Sequence, residues 1–156
     1  MQGFTKGRSV ETLTAAVLYA ACRNLSVPVT LREICQYSNE SKKTISKFYR
    51  LMINKKIFSV PSPNYEIYID RVLDKLKQKS HFKNVKAINN VRRKSINIMK
   101  KAQSSGLLHG KKPASIVSSI IYIATERGIN QSVIATAAGV TEVTLRNNLR
   151  KLESIL

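Results

Sequence analysis

The chain has 156 residues, 43% of them apolar, and carries 27 Lys and Arg against nine Asp and Glu, for a net charge of +18. The apolar share suits a folded protein rather than a disordered tail, and the length allows one good core or two small ones. Two cysteines and two isolated histidines exclude a Cys-rich zinc site, no run approaches the ~20 apolar residues of a membrane span, and the charge calls for a polyanionic partner.

From the N-terminus, Met1-Gln2-Gly3-Phe4-Thr5-Lys6 lacks the apolar stretch of a signal peptide, which predicts an intracellular protein with reduced thiols. Ser9 then caps a helix over 10–24, with apolar positions Leu13, Ala16, Val17, Ala20 and Ala21. Thr30 and Glu33 have capping-box spacing at the start of a short helix, 30–37, and Ser41 caps a third, 42–56. Pro61 and Pro63 punctuate a linker. Two helices follow it: 64–78, with Ile67, Ile69, Val72, Leu73 and Leu76, and 83–104, with Val85, Ile88, Val91, Ile96, Ile98 and Met99. The last three fall at 113–127, 130–138 and 141–155; Pro113 sits in a first turn, where a missing N–H costs little. No strand pattern emerges, so the fold class is all-α. Cys22 and Cys35, among apolar neighbours, read as core fillers.

Two of these stretches are copies of each other. Gly7-Arg8-Ser9, followed by Leu13, Ala16, Val17, Leu18, Tyr19 and Ala21, recurs 103 residues later as Gly110-Lys111-Lys112, followed by Ile116, Ser119, Ile120, Ile121, Tyr122 and Ala124. After a slip around Val27-Pro28-Val29 the offset becomes 100, pairing Ile34 with Ile134, Ser41 with Thr141, Thr44 with Thr144, Ile45 with Leu145 and Arg50 with Arg150. A repeat of this length marks two related structural units. Residues 1–60 form a partial copy of three helices, and 61–156 a complete one of five. Each ends in a helix-turn-helix-like pair.

The positive charge is concentrated between the copies. Residues 71–112 hold thirteen basic residues against one acid, whereas 1–41 and 113–156 each hold four against three. An ordinary charge run is a solvated face; an excess of this size within apolar periodicity points to nucleic acid. A membrane surface would ask for one continuous amphipathic face instead.

Asn130 to Leu152 has helix-turn-helix spacing, with Gly139 at the turn, Val140 pointing inward and Leu145, Leu149 and Leu152 as the buried stripe. Val143, Arg146, Asn147 and Arg150 fall on the opposite side. Arg donates two bonds to guanine, Asn pairs with adenine and Val meets a thymine methyl, so Val143, Arg146 and Asn147 are candidate base readers. Arg150, and Arg92, Arg93 and Lys94 from the basic stretch, are candidate phosphate contacts. The third helix of the first copy carries Lys42, Lys43, Lys47 and Arg50, with Ser46 where Arg146 sits. That pattern suits phosphates or an acidic protein better than base edges.

Catalysis has no foothold. The glycines are scattered punctuation, neither His81 nor His109 has a Cys or acid at an interpretable spacing, and Glu66 and Asp70, which share a helix face, read as part of a solvated helix because nothing indicates the geometry that a catalytic carboxylate pair needs. We expect no enzyme, cofactor or metal.

Lys6-Gly7-Arg8-Ser9, Ala15-Ala16-Val17-Leu18-Tyr19-Ala20-Ala21-Cys22-Arg23, Leu31-Arg32-Glu33-Ile34-Cys35 and Ser41-Lys42-Lys43-Thr44-Ile45 resemble the first cyclin-like repeat of the transcription initiation factor IIB family. Ala138-Gly139-Val140-Thr141-Glu142-Val143-Thr144-Leu145-Arg146 resembles the recognition element of its second repeat. The resemblance implies cyclin-like helical repeats of five helices and promoter double-stranded DNA held alongside the TATA-binding protein, with RNA polymerase as a further partner. Carried over by position, Val143 and Arg146 read the element upstream of the TATA box. Lys42 and Lys43, with Lys47 nearby, meet the TATA-binding protein, and Lys111 and Lys112 touch the DNA backbone. The location implied is cytoplasm and nucleoid in an archaeon, or the nucleus in a eukaryote.

The sequence also departs from the family. It has no counterpart of the zinc ribbon that recruits polymerase, nor of the first two helices of repeat one, and Val29 replaces a basic residue after Pro28. A fragment of a longer factor, a shortened regulatory paralogue and a chain completed by another polypeptide all accord with this. Leu13, Val17, Leu18 and Ala21 are expected to face surface that two further helices would cover. The alternative function is a cyclin-like scaffold for an acidic protein partner, without sequence-specific DNA binding.

Overall fold

A computed structural model describes residues 9–58, 62–82 and 84–156. Lys6, Gly7, Arg8 and Pro61, invoked above, lie outside the described residues. Among those described there are eight helices and no strand: α1 Val10–Asn24, α2 Leu31–Gln36, α3 Lys42–Asn54, α4 Tyr65–Gln78, α5 Val85–Ser104, α6 Pro113–Ala124, α7 Gln131–Ala138 and α8 Glu142–Glu153. The chain divides into two compact units between Pro63 and Asn64. The first holds α1–α3 and the second α4–α8.

Helices begin where the sequence supplies an oxygen to accept a first-turn N–H. Ser9, Thr30, Ser41, Asn64, Asn84, Asn130 and Thr141 all do so, and Thr30 and Glu33 close a capping box. The exception is α6, which starts with Pro113 behind Lys112 and has no side-chain cap. Because a cap residue stands outside its helix, several expected starts move inward by a residue or two.

The ends follow a shared rule. After α1, the N–H groups of Ser26 and Val27 donate to Arg23 and Cys22 carbonyls at 3.3 and 2.8 Å. This paired closure places one residue in the left-handed region, and it recurs with Lys56, Ser80, Gly106, Glu126 and Gly139 in the same role. The helix expected over 113–127 therefore stops at Ala124, since Glu126 and Arg127 have φ of 54° and 60°. For the same reason the one expected over 42–56 stops at Asn54, with φ 56° at Lys56.

Each unit has its own core. The first packs Ala15, Ala16 and Ala20 of α1 against Leu31, Ile34, Ile45, Phe48 and Met52. The second is built round α6, on which every residue from Pro113 to Ile121, and Ala124, is buried. Helices α4, α5, α7 and α8 all pack against it.

The repeat explains a difference between the two. Ile120 and Ile121 are fully buried, whereas Val17 and Leu18, 103 positions earlier, are 43% and 51% exposed. Among the described residues α1 packs against α2 and α3, while α6 is covered by α4 and α5 as well. The inward face of α1 is thus Thr12, Ala15, Ala16 and Ala20 rather than one including Val17; Leu13 and Ala21 are half-buried. Ile67 and Val85, expected on apolar stripes, are also exposed, and Cys22 and Cys35 are half-buried free thiols rather than core residues. Among the described residues no helix is long and apolar enough to cross a membrane, and no cluster of His, Cys, Asp or Glu is placed to hold a metal ion.

Candidate nucleic-acid interface

The turn between α7 and α8 is set by Gly139, at φ 70° and ψ 31°, a conformation that a Cβ disfavours. Its N–H donates to the Thr136 carbonyl at 3.1 Å, and that of Val140 to Ala135 at 2.9 Å. Val140 then packs on the core, and the Thr141 hydroxyl accepts the Thr144 N–H at 3.3 Å to start α8.

The inner face of α8 is anchored twice over. Leu145 and Leu152 are fully buried, and Leu149 is nearly so. Asn148 is buried too, donating from Nδ2 to the carbonyls of Ser115 at 3.2 Å and Thr144 at 3.1 Å. From the α6 side, Ser119 Oγ donates to the Leu145 carbonyl at 2.8 Å. Buried polar groups satisfied in this way fix the rotation and register of one helix on another. The outer face therefore carries Val143, Arg146, Asn147 and Arg150, all exposed. Arg146 is held along the helix by Glu142, Nη2 to Oε2 3.2 Å.

The cations sort into two groups by what they already touch. Arg92 is bound bidentately by Asp70, Nε–Oδ1 2.6 Å and Nη2–Oδ2 3.1 Å, with Glu66 at 3.6 Å. The hydrogen bond to Asp70 and its charge raise the Arg92 pKa further. Lys94 pairs with Glu126 and, through that contact, lowers the Glu126 pKa. Arg127 pairs with Glu153 at 2.6 Å. The second group has no carboxylate in reach among the described residues. Arg93 bonds only the Asn90 amide oxygen, at 3.2 Å. Lys111 and Lys112 lie at the start of α6 and Arg150 and Lys151 at the end of α8, and the neighbouring charge of Lys151 pushes the Lys111 pKa below the ordinary lysine value. In the first unit Lys42, Lys43 and Lys47 are exposed on α3, and Arg50 donates to Ser46 Oγ at 3.3 Å.

Val143, Arg146, Asn147 and Arg150 thus share one exposed face of α8, whereas Lys111 and Lys112 lie at the start of α6. Arg92 and Lys94 are committed to carboxylates instead. Spacing alone passed over Lys151 and Asn148. Lys151 was legible as the next step of the 143–147–151 series; Asn148 gave no signal, since an Asn inside a leucine stripe looks like an interruption.

A family model described as "Transcription factor TFIIB repeat" matches residues 1–55 and again 64–155. The chain belongs to this family. Its helices form two cyclin-like repeats, with three helices in the first unit and five in the second among the described residues. Among similar proteins is the transcription initiation factor IIB of Saccharolobus shibatae, 36% identical over 154 residues, which are 97% of this chain and 47% of that protein. The factors of Pyrobaculum neutrophilum and Pyrobaculum arsenaticum are 36% and 37% identical over the same share of this chain and 44% of their own. This TFIIB-repeat chain therefore spans less than half the length of these relatives. The family is one of transcription factors, not of enzymes.

Proposed function

We propose that this chain is a DNA-binding transcription initiation factor of the factor IIB kind, which joins promoter duplex DNA to the TATA-binding protein as a preinitiation complex assembles. One observation carries the reading: α8 turns Val143, Arg146 and Asn147 outward while four buried side chains hold its other face. A side chain reads a base edge only if its helix is held in a defined orientation, and α8 is. Lys111, Lys112, Arg150 and Arg93, with no carboxylate of their own among the described residues, are available to phosphates. Arg92 and Lys94 would reach phosphates only by leaving Asp70 and Glu126. On α3, exposed Lys42, Lys43 and Lys47 suit the acidic surface of a protein partner, the TATA-binding protein in this reading.

A mobility-shift assay tests the proposal. Adding the protein to a TATA-binding-protein–promoter complex should retard it further; an unchanged complex at low ionic strength would refute the function. Lys42→Glu with Lys43→Glu should weaken the ternary complex more than binary DNA binding. Equal weakening of both would show that these lysines touch phosphate alone.

A further inference from the structure

The outward face of α5 carries a groove of its own, separate from the exposed face of α8. Five side chains of α5 line it, Asn89, Arg92, Arg93, Ile96 and Asn97, around a space of about 240 Å³. Residues so spaced fall on one face of a helix. The opposite face holds the buried Val91, Ser95, Met99 and Ala102, and α5 packs on α4 and α6. Asn89, Arg93 and Asn97 are exposed, and Arg92 and Ile96 are half-buried. Of the two guanidinium groups, that of Arg92 already has Asp70 on two nitrogens and Glu66 at 3.6 Å. Arg93 bonds only the neutral Asn90 amide oxygen, at 3.2 Å. Arg93 is therefore the cation of this groove still open to an anion.

The other lining residues say which anion. Ile96 packs on the core and adds an apolar wall. Asn89 and Asn97, one turn to either side of Arg93, offer amide donors and acceptors that match a peptide N–H and C=O. Lys86, Lys100 and Lys101, all exposed, continue the face beyond both ends. A phosphodiester would use the cations and gain nothing from Ile96, whereas a peptide uses every one of these groups. A carboxylate also fits a guanidinium as a planar, two-bond pair. From Lys86 to Lys100 the helix rises about 21 Å, the reach of about six extended residues. We propose that this face of α5 docks a short, extended acidic segment of a protein partner. A carboxylate sits on Arg93, an apolar side chain on Ile96 and the backbone on Asn89 and Asn97. Arg93, grouped above with the cations available to phosphates, receives a carboxylate in this site. The site does not depend on base reading by α8.

The test uses the full chain and a fluorescein-labelled octapeptide of alternating Asp and Leu, followed by anisotropy at about 0.15 M salt. Arg93→Gln should weaken binding roughly ten-fold, the scale of a lost charge-assisted hydrogen bond, and Asn97→Ala roughly three-fold. Lys56→Gln, which removes the same charge from the first unit, should leave it unchanged. A peptide of alternating Asp and Ser should bind roughly five-fold more weakly, since Ile96 then has no apolar partner. In NMR spectra the Asn89 and Asn97 side-chain amides and the Ile96 methyls should shift with the Asp–Leu peptide, and added promoter duplex should leave those shifts in place. Equal binding of the Ser peptide, or equal losses from Arg93→Gln and Lys56→Gln, would reduce the site to general attraction by a strongly basic chain. Displacement of the peptide from α5 by duplex would assign the face to nucleic acid. Each of these outcomes overturns the peptide site and leaves the DNA-binding function standing; a failed mobility shift with the peptide still seated on α5 would do the reverse.

Discussion

Replacing Arg146 with alanine separates what this residue does for the fold from what it does for DNA. Its ion pair with Glu142 is 3.2 Å long, spans one helical turn and leaves the two side chains 53% and 43% exposed. Such a pair contributes about 0.3–0.5 kcal/mol, less in salt, so Arg146→Ala should barely move the thermal midpoint. On a preferred duplex, the loss of two hydrogen bonds to a base edge should cost about 1–3 kcal/mol, roughly a five- to 150-fold weakening. Both parts are measurable on one sample, the first by melting and the second by anisotropy against a panel of duplexes varied one base pair at a time. The expected signature is a loss confined to duplexes carrying the preferred pair, with discrimination at that position flattened. An equal loss on every duplex would reduce Arg146 to a phosphate contact. A large fall in the melting temperature would mean that the exposed ion pair does more for the fold than its geometry allows.

The internal repeat supplies a matched stability test. Ile121→Ala should cost about 2–5 kcal/mol, as for a fully buried side chain, whereas Leu18→Ala at the equivalent place, half exposed, should cost less than about 1 kcal/mol; amide exchange in α6 and α1 reads the two, and equal costs would mean that Leu18 is covered in solution. Asn148→Ala removes two buried hydrogen bonds and should lower the opening free energy of α8 amides by about 1–3 kcal/mol; a change under about 0.5 kcal/mol would show that leucine packing alone holds the helix. Glu40 accepts from Thr12 Oγ1 and from Ser9 Oγ at 2.7 Å, and these bonds, Thr12 first, hold its carboxyl below the ordinary value of 4.5. A depressed carboxyl contributes stability that is present above its ordinary value and lost as pH falls through the lower folded one. Protection of α1 amides, measured against their intrinsic exchange rates at each pH, should therefore fall in that acidic window, and Glu40→Gln should remove this part of the acid response; identical pH profiles would refute the linkage.

Much of this molecule is a matter of local chemistry. Ser9, Thr30, Ser41 and Thr141 mark helix starts because a hydroxyl three residues before an N–H finds it with no help from the rest of the chain. The glycine turn before α8, the outward stripe of Val143, Arg146 and Asn147 and the two-copy layout are likewise consequences of spacing along one strand of sequence. Helix ends were less legible, because Glu126 and Arg127 adopt left-handed angles that their side chains do not announce.

Tertiary structure decided which residues have partners. Nothing in the spacing of Arg92 reveals that Asp70, on another helix and 22 residues away, takes both its nitrogens. Nor does the leucine stripe of α8 show that Asn148 reaches across to the Ser115 carbonyl, 33 positions away, at 3.2 Å. Val17 and Ile120 occupy equivalent places in the repeat, and among the described residues α4 and α5 cover the second while no such helices cover the first. Periodicity along a chain identifies the faces a helix has; burial and charge pairing depend on distances between helices, which only the packed fold sets.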